Sequence, residues 1–426
     1  MRKSITVVMI FVLGIMTAFA APGKRIVVNF WHSSSGVTGE AIMAQAKLFN
    51  ESQDKITVVP TYQGSYDETT AKLQQSIPAK TQPAIAMLER SVVPQYIDNG
   101  LAQDLTGYMK KTHFDPSVIF DGFLSQARAN GKIYGLPYIR STPILYYNKT
   151  LFAKAGLDPN RPPATWDECL EYARKLTKKD SSGKTVQYGV GMAMYDTWIT
   201  QGLVVQAGGH FFNKDMTDIG FNNEIGKKVF NYIKAFQKDG TIRIPPVQNA
   251  FAIQQQDFVS GLACMTYGST GGLSAYISEA KNNGFEVGVG FMPKNVTYGT
   301  PTGGANIIML APCSDEVKDA AWTFMSWLME ADQAAYISAK TGYMPVTKTA
   351  ANSKIIQDLW AKYPQYKVAF EQLEYVEDPT STPVWTQLNR EGGVILQKIY
   401  IDQSITPEEG LKEMSEMARD LLSETY

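Results

Sequence analysis

The chain has 426 residues, 44% hydrophobic and 11% aromatic, with a formal net charge of -1. That length suits two or three domains with large apolar cores. So neutral a balance offers no electrostatic reason to bind nucleic acid or a membrane surface, and three scattered cysteines are too few for a disulfide framework or a zinc site.

At the N-terminus, Arg2 and Lys3 precede an almost purely apolar run from Ile5 to Ala18, and Ala18-Phe19-Ala20 supplies a small-x-small cleavage pattern. The run is short for a membrane span, so residues 1–20 read as an export signal that is removed; an uncleaved anchor is the alternative. No cysteine stands at the cleavage site to carry a lipid. The expected product is a free periplasmic protein, and no other apolar run approaches transmembrane length. In that compartment one pair among Cys169, Cys264 and Cys313 could bridge. The apolar runs around Cys264 and Cys313 favour buried free thiols instead.

The predicted elements then alternate. Arg25–Trp31 is a strand, Thr38–Asn50 has helical apolar spacing, Ile56–Pro60 is a strand, Tyr66–Gln75 is helical, and Ala84–Leu88 is a third strand. Such alternation indicates βαβ units on a parallel sheet, with ligands bound beyond the carboxyl ends of the strands. Trp31–Gly36, Tyr62–Tyr66 and Glu89 should therefore share one rim. Within the stretch 134–148, Pro137 and Pro143 bracket a β-rich segment that suits an extended crossing between lobes. Thr165 and Glu168 have capping-box spacing ahead of a helix through Leu176. The apolar run 258–267 ends in a glycine-rich turn at 268–272. Strand patterns restart at 287–292 and 307–310, a helix is expected at 320–329, and the C-terminal remainder reads as helical.

Catalytic signatures are missing. His32, His113 and His210 have none of the close spacings of zinc enzymes. The sequence contains no G-x-S-x-G elbow, no Walker loop and no complete G-x-G-x-x-G. No metal or cofactor is expected, and the chain is read as a non-enzyme.

TYQGSY at 61–66, STPILYYNK at 141–149, P-A-T-W at 163–166, TGYMPVT at 341–347 and the early NFWHS at 29–33 together resemble the extracellular sugar-binding family of ABC importers. Within it the pattern is nearest to the branch that takes glycerol 3-phosphate. The resemblance implies an α/β fold of two lobes, like that of maltose-binding protein, with three interlobe crossings. It implies capture of glycerol 3-phosphate or a glycerophosphodiester such as glycerophosphocholine, and delivery to membrane permease subunits by a monomer. It also implies the ligand-binding positions Tyr66, Glu89, Ser141, Ser269, Gly304, Tyr343 and Arg390, with Trp198 and Tyr195 as aromatics covering the ligand. Tyr195 stands where the family has a tryptophan, which leaves a stacking surface but alters its preference.

Chemically the set suits a phosphate ester. Arg390 offers a planar fork to two phosphate oxygens, the serines and tyrosines offer neutral hydroxyls, and Gly304 lets a backbone N–H approach closely. Glu89 would repel phosphate and so belongs at the glycerol end. Each residue has a plainer reading. Arg390 between polar neighbours is ordinarily solvated, Glu89 and Arg90 could be a surface ion pair, and Trp198 divides evenly between core and pocket. Tyr146 and Tyr147 read as interlobe core, and Trp31 and Trp166 as packing residues.

The expected division places 21–139 and 270–328 in lobe 1, and 140–269 and 329–426 in lobe 2, with closure by hinge motion. The alternatives to a glycerophosphate carrier are the same fold binding a sugar or oligosaccharide and, more distantly, a secreted phosphodiesterase or glycosidase.

Overall fold

The computed structural model describes residues 25–194, 196–380 and 382–423. The export-signal reading of 1–20 and the position of Tyr195 lie outside the described residues. The principal strands are β1 (Ile26–His32), β2 (Ile56–Tyr62), β3 (Ile85–Glu89), β4 (Gly135–Ser141), β5 (Pro143–Asn148), β6 (Thr185–Gly191), β7 (Ile242–Arg243), β8 (Ala263–Ser269), β9 (Val287–Gly290) and β10 (Gly303–Met309). The helices used below are α1 (Gly36–Ser52), α2 (Tyr66–Ser76), α3 (Trp166–Leu176), α4 (Trp198–Gln206), α5 (Asp315–Leu328), α6 (Ala331–Thr341), α7 (Trp385–Tyr400) and α8 (Pro407–Ser423).

Two separate sheets result. The first runs β2-β1-β3-β10-β4 and the second β7-β6-β8-β5-β9. In each, two parallel pairings are followed by two antiparallel ones. The molecule is thus the expected two-lobed α/β fold. β1 buries Val28, Phe30 and His32 and exposes Val27 and Asn29, the alternation of a strand covered more fully on one face. Central β3 buries Ile85 through Leu88, so its apolar run is continuous.

Local signals placed the ends of elements well. Thr165 accepts from the Glu168 N–H at 3.2 Å at the start of α3, while the Glu168 carboxylate accepts from Ala164 N–H, so the capping box is half made. Trp166 packs flat on Tyr232, ring centroids 4.2 Å apart, and donates to Gln206. Tyr146 and Tyr147 are both buried. The three cysteines are unbonded. Burial pushes the Cys169 and Cys264 thiols up to about 11 and about 12, so neither is a ready nucleophile.

The lobe boundaries differ from the expected ones. β9 pairs with β5 in the second sheet, so the return to the first lobe comes at 291–302, just ahead of β10, and not at 270. α6 packs on α1 of the first lobe, and Ala334, Ile337 and Ile356 share a buried cluster with Val28, Phe30 and Ile85 of β1 and β3. The helix Gln365–Gln372 packs on β5 and β9 of the second sheet, and α7 and α8 follow in the second lobe, burying Leu388, Leu396 and Met414 with Phe230 and Tyr400. Short strands and amphipathic helices carry no mark of which sheet they will cover, which is why the pattern alone misassigned them.

His32 ends β1 buried, with neither ring nitrogen paired by a well-formed hydrogen bond among the described residues. Phe30 and Tyr62 flank it. Desolvation lowers its pKa, against a smaller opposing effect of the Ser34 backbone. The folded protein therefore holds the imidazole neutral, whereas the unfolded chain protonates it below about 6.5. Stability is then lost as pH falls through that value, with a slope of at most about 1.4 kcal/mol per pH unit. Carboxylates with lowered values, such as Asp104 and Glu68, lose their contribution only at more acid pH. Melting temperatures between about pH 5 and 7 should fall on the acid side for the native chain and stay flat for His32→Gln; equal slopes would contradict this.

Candidate ligand-binding cleft

The rim of the first sheet is built by chain reversals after its strands. Tyr66 opens α2, where Ser65 and Glu68 form a reciprocal capping box. Glu89 ends β3 and caps the turn Arg90–Val92 by accepting from the Ser91 N–H at 2.9 Å and from the Ser91 hydroxyl. Ser141 ends β4 and faces Gly303, with Gly304 opposite Arg140. Gly304 has φ +101°, and a Cβ there would lie 2.3 Å from the Ile139 carbonyl oxygen, so only glycine fits. The ladder shifts register just after it, between Ala305 and Asn306.

Ser269 ends β8 of the second sheet, where its hydroxyl accepts from Gly271 N–H at 3.1 Å and its carbonyl from the Tyr146 hydroxyl at 2.7 Å. The ring of Tyr343 lies against Gly271, leaving no room for a side chain there. Tyr343 in turn meets Tyr66 through the hydroxyls. Desolvation raises the Tyr66 phenol well above its usual value, helped by Tyr343 and Glu89 and opposed by Arg140. Burial pushes Tyr343 up to about 12. Both stay protonated near neutrality, and with the Tyr66 O–H turned to Tyr343 the Tyr343 O–H is left to donate to a ligand.

Trp198 opens α4, donates Nε1–H to the Thr302 carbonyl at 2.9 Å, and lays its ring against Gly303. Tyr66, Tyr343, Ser269, Ser141, Gly304 and Trp198 are thus linked by short steps across the junction of the two sheets. Arg390 stands apart from them. It lies on α7, 75% exposed and 3.9 Å from Glu391. The preceding Asn389 accepts from Thr197 N–H at 3.1 Å, which ties this turn of α7 to the start of α4.

Three further residues were not found from the sequence as parts of this region. Arg140, completely buried, donates to the carbonyls of Ile139, Ala305 and Phe123 at 2.8–3.0 Å and to Asn306 Oδ1. Its pKa is pushed down to about 9, by desolvation first and then by Arg90, with Asp378 and Glu89 opposing. Arg90 is buried too, so the plainer reading of Glu89 and Arg90 as a surface ion pair does not hold. Arg90 donates Nε–H and Nη2–H to the Thr302 carbonyl at 3.2 and 2.9 Å, and Nη2 is 3.2 Å from Asp378. Asp378 accepts from Thr302 N–H and its hydroxyl, both at 2.6 Å. A charged residue at the end of an apolar strand was the available signal for both arginines. Among the described residues, no group of three or more His, Cys, Asp or Glu is placed to hold a metal, and no helix is long and apolar enough to cross a membrane.

Residues 44–367 match the family described as bacterial extracellular solute-binding protein. Across 367 residues the chain is 28% identical to the sn-glycerol-3-phosphate-binding periplasmic protein UgpB of Pectobacterium atrosepticum, covering 81% of this chain and 79% of that one. It is 30% identical over 361 residues to the UgpB of Brucella melitensis, covering 79% and 78%. The fold matches the crystal structure of UgpB from Mycobacterium tuberculosis in complex with glycerophosphocholine, with TM-score 0.84 and 23% identity over 94% of this chain and 99% of that one. It also matches the GacH receptor of Streptomyces glaucescens, a structure solved unliganded and with acarbose, with TM-score 0.83 and 18% identity over 95% and 100%. The match over residues 44–367, together with the two-sheet fold, shows that the chain belongs to the bacterial extracellular solute-binding proteins, the substrate-binding components of ABC importers.

Proposed function

We propose that this protein captures sn-glycerol 3-phosphate or a glycerophosphodiester in the interlobe cleft, in the periplasm, and presents it unchanged to an ABC permease. The observation that carries the reading is the makeup of the cleft. A surface of neutral phenolic and serine hydroxyls with a close-approach backbone at Gly304 has an exposed guanidinium, Arg390, on the helix beside it. The curated relatives matched over about four-fifths of both chains are glycerol-3-phosphate-binding proteins, which supports the same ligand class.

In this reading the lobes contribute different chemistry. Tyr66, Glu89, Ser141, Gly304 and Tyr343 come from the first lobe, and Ser269, Trp198 and Arg390 from the second. Closure brings the Arg390 fork onto phosphate oxygens as water leaves, which strengthens each charge-assisted bond. Glu89 has Oε2 engaged by Ser91, while Oε1, 4.0 Å from Arg90 Nε, keeps lone pairs with which to accept from a glycerol hydroxyl. The indole of Trp198 covers the carbon skeleton or a quaternary ammonium headgroup. A neutral sugar is the second reading, because GacH was solved with acarbose and aromatic faces flanking a carboxylate also suit a carbohydrate.

Two measurements check this. Because the contacts are divided between lobes, saturating glycerol 3-phosphate should reduce the radius of gyration in small-angle scattering. No change, with binding verified by calorimetry, would contradict a closing cleft. Arg390→Ala should weaken glycerol 3-phosphate binding by about 2 kcal/mol or more, roughly thirtyfold in Kd, and Arg390→Lys should restore only part of it. The melting temperature without ligand should hardly move, since the arginine is hydrated there. A loss below about tenfold would leave Arg390 on the solvated rim.

A further inference from the structure

We propose that Asp378 is a resident counter-anion that sets the charge preference of the cleft, holding Arg90 neutralised so that an anionic ligand must be met by Arg390 instead. The inference rests on the reading above that ligand lies in the interlobe cleft against the backbone at Gly304.

Asp378 sits on the last connection, between the helical segment ending near Tyr375 and α7. Both of its carboxylate oxygens accept from Thr302, the residue directly before Gly303 and Gly304. On its other side it is 3.2 Å from Arg90 Nη2, nearer than Glu89, which is 4.0 Å from Arg90 Nε. Arg90 is only 4% exposed, and its Nη1 has no hydrogen-bond partner among the described residues. A buried cation with an unsatisfied donor is where extra negative charge gains most. The second buried arginine, Arg140, feels both Arg90 and Asp378, so two cations and two carboxylates share this floor. Their formal charges cancel without any ligand. Removing one carboxylate leaves an excess positive charge in a low-dielectric wall of the cleft, and its field reaches a ligand without contact.

Asp378→Asn isolates the charge. Its amide oxygen still accepts from Thr302 N–H, and its amide nitrogen can donate to the Thr302 hydroxyl, so the geometry has a replacement for each bond. Inorganic phosphate is the first probe, because it reports the charge of the cleft whichever ligand is native. Melting temperatures are followed through a phosphate titration at constant ionic strength. The variant should gain a saturable stabilisation by phosphate with a Kd at least about tenfold lower than that of the native chain; equal responses overturn the proposal. Calorimetry with glycerol 3-phosphate and with maltose supplies the second arm. The variant should raise the ratio of affinities for the ester over the sugar, whereas an equal loss for both makes Asp378 a structural clamp only and overturns the proposal. Failure of the native chain to bind either compound would defeat the ligand reading, while the phosphate comparison would still decide the role of Asp378. If Asp378→Asn does not fold, Arg90→Gln tests the converse. It leaves Asp378 without its cation and should lower phosphate affinity about tenfold; unchanged affinity overturns the proposal.

Discussion

Two guanidinium groups, those of Arg90 and Arg140, are taken out of water where the lobes join, and much of the architecture answers that need. A buried cation is tolerated only when its donors are hydrogen-bonded and a counter-charge is near. Arg140 therefore gathers carbonyls from Phe123, Ile139 and Ala305, and Arg90 gathers the Thr302 carbonyl and Asp378. The two arginines and their partners stand beside the three crossings. Arg140 precedes the first, Thr302 ends the second, and Asp378 belongs to the third. The passages between lobes are consequently fastened at one polar point, close to where the sheets present their rims.

That point also orders the cleft. Trp198 and Arg90 share the Thr302 carbonyl as acceptor, so an aromatic wall from the second lobe and a charged floor from the first meet on one peptide group. Immediately beyond it the chain must pass Arg140 closely, which requires the positive φ of Gly304. The hydroxyls of Tyr66 and Tyr343 meet near the same place and are kept neutral by burial. Rigid placement of neutral donors gives orientation without excessive attraction, a suitable property for a carrier that must release what it binds.

The repeated pairing pattern of the two sheets puts parallel strands at the heart of each lobe, with their carboxyl ends at the rims. Glu89 and Ser269 occupy equivalent ends, each capping a short turn that starts the next helix. Side chains so placed are held by backbone hydrogen bonds, and their oxygens are only partly consumed by the caps. The result is a polar surface mounted on two sheets that are joined by three crossings of the chain.

The sequence by itself determined the elements and the class. Apolar periodicity placed β1, α1, β2, α2 and β3 to within about two residues, and Thr165 marked the start of α3 because capping is a local transaction between neighbours. The family motifs led to Tyr66, Ser141, Ser269, Gly304 and Tyr343, which the fold gathers, and to Arg390, which it sets apart on α7. Only the tertiary structure decided that β9 joins the second sheet and α6 the first lobe, since strand pairing and helix docking depend on partners far away in the chain. It likewise decided that Arg90 and Arg140 are buried. An arginine in isolation reads as solvated, and what keeps these two out of water are Thr302, Ala305 and Asp378, brought to them by chain crossings that leave no trace in local pattern.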